Sequence, residues 1–284
     1  MPAEPPIRTV LTAVIVATTA ALIFRAWLQI ELLAKGLQRD VAADLSYLVV
    51  PPVLLVLLLP IWRQHGAFIA TLFERQGLSL RLVLRALAIG CLLRLAAWSE
   101  LIAGVSLGWY RNADPTAIVG PLFRFDCPAP QALALGFIVM VVLVPLVEET
   151  IHRGLIQTWL YKHGAVIAIG ASALTFMLAH KPASWAFVFV AGVVLGVQYW
   201  QSATLWSSVV THATINGLIL LDWRCLRGQW NPPASNIPIW SSGLVSLCVL
   251  LLALLCIGYL LAKGPRRTWR PGTTRFTKRL RPSR

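Results

Sequence analysis

Long apolar runs, each close to the length of a membrane-spanning helix, recur along the 284-residue chain. A helix needs about 20 mainly apolar residues to cross the hydrocarbon core of a bilayer. Eight runs approach this length, namely 9–30, 44–62, 82–109, 131–161, 165–181, 184–200, 202–223 and 240–262. The pattern predicts an all-α fold, a polytopic transmembrane helix bundle with about eight spans.

The composition excludes an ordinary soluble protein. Hydrophobic residues make up 57% of the chain and charged residues 13%, against roughly 45–50% and about 25% in soluble domains. A soluble monomer rarely tolerates the large exposed apolar patches that this composition would create. We therefore expect residues 1–262 to form a single transmembrane bundle, with no separate soluble domain.

The net charge of +14 is concentrated beyond the last apolar run. Nine basic residues and no acidic residue lie in 263–284, so the positive-inside rule predicts a basic cytoplasmic tail. With eight spans, the N-terminus is cytoplasmic too, and we expect an integral protein of a bacterial inner membrane. Such a tail favours the anionic surface of the lipid bilayer over nucleic acid as its partner.

The connections between the runs divide between the two sides of this predicted topology. The basic segment 63–81 is expected in the cytoplasm, and the segments 110–130 and 224–239 are expected outside. Cys127 and Cys225 lie in these two external segments. An oxidising compartment could join them in a disulfide.

Three clusters of polar residues lie within the predicted spans. An ionisable group near the bilayer centre costs a few kcal/mol, so each cluster is a candidate functional site. Glu149 and Arg153 are four residues apart and can pair on one helix face, whereas the neighbouring Glu148 points about 100° away. The other clusters are Phe176 with His180 and His212 with Asn216. Any one of them alone could be explained by helix packing.

The three clusters are predicted to lie at one depth in the membrane. Glu148 lies 15 residues before His163, where a helical hairpin is expected to turn, and His180 lies 17 residues after it. At a rise of 1.5 Å per residue, their depths differ by about 3 Å. His212 and Asn216 follow a second expected turn near Gln201 by 11 and 15 residues. The convergence favours one shared site.

The combination of a carboxylate, two imidazoles and an amide suits hydrolysis by an activated water molecule. Glu148 could accept a proton from water, and His180 could hold that water. His212 and Asn216 could donate hydrogen bonds to a developing oxyanion. The chain has no Gly-x-Ser-x-Gly elbow that would supply a serine nucleophile.

The ordered motifs Glu148-Glu149-x-x-x-Arg153, Phe176-x-x-x-His180 and His212-x-x-x-Asn216 resemble those of the CPBP family of intramembrane proteases. This family is related to type II CAAX prenyl endopeptidases and to bacteriocin-processing and self-immunity proteins. The resemblance covers about 131–223 and implies a glutamate-type peptidase. It assigns the general base to Glu148 with His180 as its partner, and the oxyanion hole to His212 and Asn216. Glu149 and Arg153 would support the site.

The function expected from this resemblance is hydrolysis of a peptide bond in a membrane-associated or exported protein, for example in a C-terminal sorting or maturation system. A CAAX-type prenyl endopeptidase and a non-catalytic membrane scaffold or immunity protein are the alternatives. Glu148, His180 and His212 also have the ligand types of a 2-His-1-carboxylate metal site. We expect no cofactor, because Asn216 suits an oxyanion better than a metal. His152, one turn from Glu148, could tune the base or serve packing alone.

Overall fold

The computed structural model describes residues 6–37, 39–74, 78–107, 134, 136–180, 182–220 and 243–264. Within these ranges 92% of the residues are helical and none is in a strand, so the predicted all-α class is confirmed. The segments 110–130 and 224–239, with Cys127 and Cys225, lie outside the described residues. The same holds for the basic tail beyond Gly264.

The described part of the chain is built from helices. In chain order they are α1 (Ile7–Ala34), α2 (Arg39–Leu48), α3 (Val50–Leu57), α4 (Leu59–Glu74), α5 (Leu80–Ser106), α6 (Phe137–Leu143, Val144–Glu149, Thr150–Gln157 and Thr158–Leu160 without interruption), α7 (Ala165–Leu178), α8 (Trp185–Ser202), α9 (Leu205–Leu220) and α10 (Gly243–Ala262).

The predicted count of about eight spans is not confirmed. Among the described residues, three helices are long and apolar enough to cross a membrane, Arg8–Ala34, Trp185–Ser202 and Gly243–Ala262. The pair Leu45–Leu57 and Leu59–Glu74 would be a fourth span, bent by 74°. The other predicted spans are short, as in the 14 residues of α7, or carry charges, as in α5 and α6.

Prolines divide the run 44–62, which the hydrophobic pattern predicts as one span. Pro51 and Pro52 lie in the first turn of α3, and Pro60 lies in the first turn of α4. Proline lacks a backbone N–H and is tolerated in a first helical turn but not in a helix interior. The segment 63–81, expected as a connection, is instead helical as far as Glu74.

Two tight turns align the helices that carry the polar clusters. A 3₁₀ turn, Tyr161–His163, ends α6, and Gly164 with φ +100° begins α7. A left-handed residue, Ala203, separates α8 from α9. The α6–α7 hairpin and the turn after Gln201 are therefore present where the sequence predicted them.

Close contacts join α7 to α8 and link both α8 and α9 to α5. A Cβ on Gly192 of α8 would lie 3.0 Å from the Cα of Ala173 in α7, so a side chain there would push the helices apart. Thr211 of α9 donates to the carbonyl of Ala86 in α5, at 3.0 Å. At one end of the bundle, Arg85 of α5 donates to Gln201 of α8, at 2.8 Å. These contacts fix the helix faces that meet at the polar clusters.

Candidate active site

The helix that carries both glutamates is irregular on either side of them. Phe137–Leu143 and Thr150–Gln157 are π-helical, and the α-helical Val144–Glu149 lies between them. Such π-helical turns are rare and occur frequently at functional sites. Their wider turns change which side chains share a face, so the direction of the glutamates does not follow simple α-helical spacing.

Glu149 is fully buried and has charge partners on two helices. Its Oε1 accepts from Arg153 Nη1 at 2.9 Å and lies 3.0 Å from His212 Nδ1 on α9. Arg153, also fully buried, donates from Nη2 to the carbonyl of Gly192 on α8, at 3.0 Å. A buried ion pair is tolerated only when further hydrogen bonds compensate its desolvation. Glu149 thus ties α6, α8 and α9 together.

Glu148 occupies a different environment from its neighbour. Its side chain is 20% exposed, and its Oε2 lies 3.8 Å from His212 Nε2. This distance is too long for a direct hydrogen bond. Oε2 has no hydrogen-bond donor in the described part of the chain. Because its side chain is exposed in part and that of Glu149 is fully buried, Glu148 is the carboxylate that water or substrate can reach.

The ring of Phe176 lies at the centre of the polar residues. The imidazoles of His152, His180 and His212 are 5.2, 4.8 and 5.6 Å from it between ring centroids. The guanidinium of Arg153 lies over the same ring at 4.5 Å, in a cation–π contact. The three helices that carry the predicted motifs thus meet around one aromatic side chain.

His180 lies just beyond the end of α7 and not within it, as the run 165–181 had suggested. Its Nδ1 is 2.8 Å from the carbonyl of Phe176, one of the last carbonyls of the helix. A carbonyl only accepts, so Nδ1 carries the proton and the neutral ring keeps Nε2 as an acceptor. Trp185 Nε1 donates to the carbonyl of His180, at 2.9 Å. His180 is held in place and can accept a hydrogen bond from water.

His180 and Glu148 make no direct hydrogen bond in the part of the chain that the structure describes. The imidazole within 4 Å of Glu148 is that of His212. A pairing of Glu148 with His180 would therefore act through a water molecule that both contact. The three clusters lie close together, as predicted. The imidazole next to Glu148 is that of His212, however, and not that of His180.

Asn216 donates to a backbone carbonyl of α6. Its Nδ2 lies 2.8 Å from the Met140 oxygen. At this point of α6 the N–H of Val144 bonds to the carbonyl five residues earlier, that of Val139. The next donor in this register would be residue 145, which is a proline without an N–H. Asn216 therefore supplies the hydrogen bond that Pro145 cannot make.

This arrangement predicts an energetic coupling between Asn216 and Pro145. Asn216→Ala is expected to lower the free energy of unfolding by about 1 kcal/mol, because the Met140 carbonyl loses its donor. In a Pro145→Ala background the restored backbone N–H replaces that donor, so the loss should shrink. A double-mutant cycle on purified protein in mixed micelles measures the difference. An equal loss in both backgrounds would contradict the explanation.

His152 is buried among residues that give it a structural explanation. Its Nδ1 is 3.2 Å from the Thr175 hydroxyl, and its carbonyl accepts from Ser172 at 2.9 Å. Among the described residues, no group of three or more His, Cys, Asp or Glu side chains is placed to hold a metal ion.

The three motifs lie together in one site. The part of the chain that carries them also matches a known protein family. Residues 130–218 match the family described as type II CAAX prenyl endopeptidase Rce1-like. The match covers α6 to α9 and less than half of the chain. It confirms the resemblance that the motifs indicate, and the Rce1-like family consists in general of proteases. Searches of curated proteins and of solved structures found no match.

Sequence spacing missed two features of this Rce1-like segment. One is the contact of His212 with both carboxylates, which depends on the rotation of α9 relative to α6. The other is the link between Asn216 and Met140, for which Pro145 was the available signal. Both features limit the roles that these side chains can perform.

Proposed function

We propose that this protein is an intramembrane endopeptidase of the glutamate type, in which Glu148 activates a water molecule. The observation that carries the proposal is the unequal environment of the adjacent glutamates. Glu149 is fully buried and paired with Arg153 and His212, whereas Glu148 is 20% exposed and its Oε2 lies 3.8 Å from His212 Nε2, beyond hydrogen-bond distance. A carboxylate that is exposed in part and close to an imidazole is suited to general base catalysis.

The surrounding side chains support attack by water on a peptide carbonyl. The exposed part of the Glu148 carboxyl can bind a water molecule close to His212, whose Nε2 lies 3.8 Å from Glu148 Oε2. His180 offers Nε2 as a further acceptor. Asn216 uses one amide hydrogen for Met140 and keeps a second for the oxyanion. His212 can donate to the oxyanion only as an imidazolium, because its Nδ1 proton is directed at Glu149.

The proposed substrates are membrane-associated or exported proteins. Glu148 lies 15 residues above the turn that ends at His163, which corresponds to about 22 Å along a helix. If the basic residues beyond α10 are cytoplasmic and α7, α8, α9 and α10 each cross the membrane, this turn is cytoplasmic and the site lies in the external half of the bilayer. Reporter fusions within 162–164 and 224–239 should then report the cytoplasm and the exterior respectively. The reverse pattern would contradict the orientation.

Reconstituted protein tests the proposed reaction directly. Purified wild type in liposomes is offered a farnesylated peptide that ends in a CAAX sequence, and single-span peptides with a short polar C-terminus. Mass spectrometry in H₂¹⁸O is expected to find a new carboxyl terminus with one ¹⁸O. Cleavage of the farnesylated probe alone would identify the prenyl-directed class. No cleavage of any probe beyond that in protein-free liposomes would count against the peptidase.

A further inference from the structure

His212 is oriented by Glu149 in a way that fixes which of its nitrogens carries a proton. Glu149 Oε1 already accepts from Arg153 and belongs to an ion-paired carboxylate, which can only accept hydrogen bonds. His212 Nδ1, 3.0 Å away, must therefore be the donor. The ring of Phe176 stands perpendicular to the imidazole, at 89°, and holds its plane. The remaining nitrogen, Nε2, faces Glu148.

Two carboxylates thus flank the ring of His212, Glu149 at Nδ1 and Glu148 at Nε2. A neutral His212 would present the lone pair of Nε2 to the lone pairs of Glu148 Oε2, at 3.8 Å. Oε2 has no hydrogen-bond donor among the described residues that could offset this repulsion. A proton on Nε2 turns the contact into an attraction. As an imidazolium, His212 would lie between two carboxylates, with Nδ1–H donating to Glu149 and Nε2–H directed at Glu148.

We propose that His212 is the general acid of the reaction, which protonates the leaving amine from Nε2, and that Glu149 is its positioning residue. This inference rests on the proposed peptidase function. It assigns to His212 a proton transfer, and not only the hydrogen bond to the oxyanion that the resemblance implies.

Every proton that these reaction steps move is accounted for over one turnover. The carboxylate of Glu148 takes a proton from water as the water oxygen bonds to the peptide carbonyl carbon. The carbon–nitrogen bond then breaks, and the leaving nitrogen takes the proton from His212 Nε2. Glu148 finally returns its proton to Nε2. One water and one amide have become an acid and an amine, and the enzyme regains its starting state.

Substrates with different leaving groups can distinguish proton donation by His212 from stabilisation of the oxyanion alone. The peptide that wild type cleaves in liposomes is synthesised in two forms, with the scissile amide intact or replaced by a thioester. An amine must be protonated to leave, whereas a thiol with a pKa of about 8.5 leaves as the thiolate. His212→Gln retains a hydrogen-bond donor but cannot transfer a proton. It is expected to slow amide cleavage by about 10²–10⁴-fold and thioester cleavage far less.

Asn216→Ala is the matched control for the oxyanion role, because it should slow both substrates to a similar extent. Equal slowing of both by His212→Gln would overturn the general acid while leaving the peptidase proposal intact. Wild type that cleaves neither substrate would instead refute the peptidase.

Wild type itself gives a second measurement, which is needed if His212→Gln does not fold. Across peptide anilides with leaving groups of different basicity, turnover should change little. A steep rise with better leaving groups would mean that the amine departs without an acid, and would overturn the proposal.

Discussion

Replacing Glu148 by glutamine is expected to lower turnover of a cleavable membrane peptide by about 10²–10⁴-fold, the usual contribution of a general base. Glutamine has nearly the same shape but cannot accept the proton of the attacking water. The thermal stability should not fall, because the Glu148 side chain is exposed in part and its Oε2 has no donor among the described residues. Initial rates in liposomes and melting in detergent measure the two effects separately.

Glu74→Gln provides the matched control for this substitution. Glu74 is an exposed residue of α4, so the same chemical change there should leave turnover unchanged. Glu148→Asp should retain part of the activity, since the base is kept but moved by one methylene. If Glu148→Gln turned over substrate at the rate of Glu74→Gln, Glu148 could not be the base.

Replacing Arg153 by methionine is expected to cost about 3–5 kcal/mol of unfolding free energy, because it leaves an uncompensated buried charge on Glu149. Both side chains are fully buried, and Arg153 also links α6 to the Gly192 carbonyl of α8. The hydrogen bond from His212 remains but cannot replace the guanidinium. Reversible unfolding in mixed micelles of increasing denaturing detergent measures this loss.

Two further variants separate the buried charge from the loss of the arginine stem. Arg63→Met removes an exposed arginine of α4 and should change the unfolding free energy by less than about 0.5 kcal/mol. The double variant Glu149→Gln with Arg153→Met buries no charge and should be more stable than Arg153→Met alone. A double variant as unstable as the single one would show that packing, and not charge, explains the loss.

The parts of the site that sequence predicts are those that depend on spacing along one chain segment. The pair of Glu149 and Arg153 follows from their separation by four residues. The common depth of the clusters follows from two turns, of which the glycine at 164 is a local signal. Such features need only the rise of a helix and the preferences of turns. They do not require knowledge of how helices rotate against each other.

The parts that sequence does not predict depend on contacts between helices and on irregular backbone. The contact of His212 with both carboxylates requires a particular rotation of α9. The π-helical turns on either side of Val144–Glu149 alter the direction of side chains by an amount that hydrophobic periodicity does not reveal. Hydropathy alone also does not predict the number of spans, since prolines and charges interrupt the apolar runs that it joins.

The ring of Phe176 makes the orientations of four charged or ionisable side chains interdependent. The imidazoles of His152, His180 and His212 and the guanidinium of Arg153 all lie between 4.5 and 5.6 Å from its centroid. A small tilt of α7 therefore cannot realign one of them without disturbing the others. The site behaves as a single mechanical unit, which a bound peptide would displace as a whole or leave unmoved.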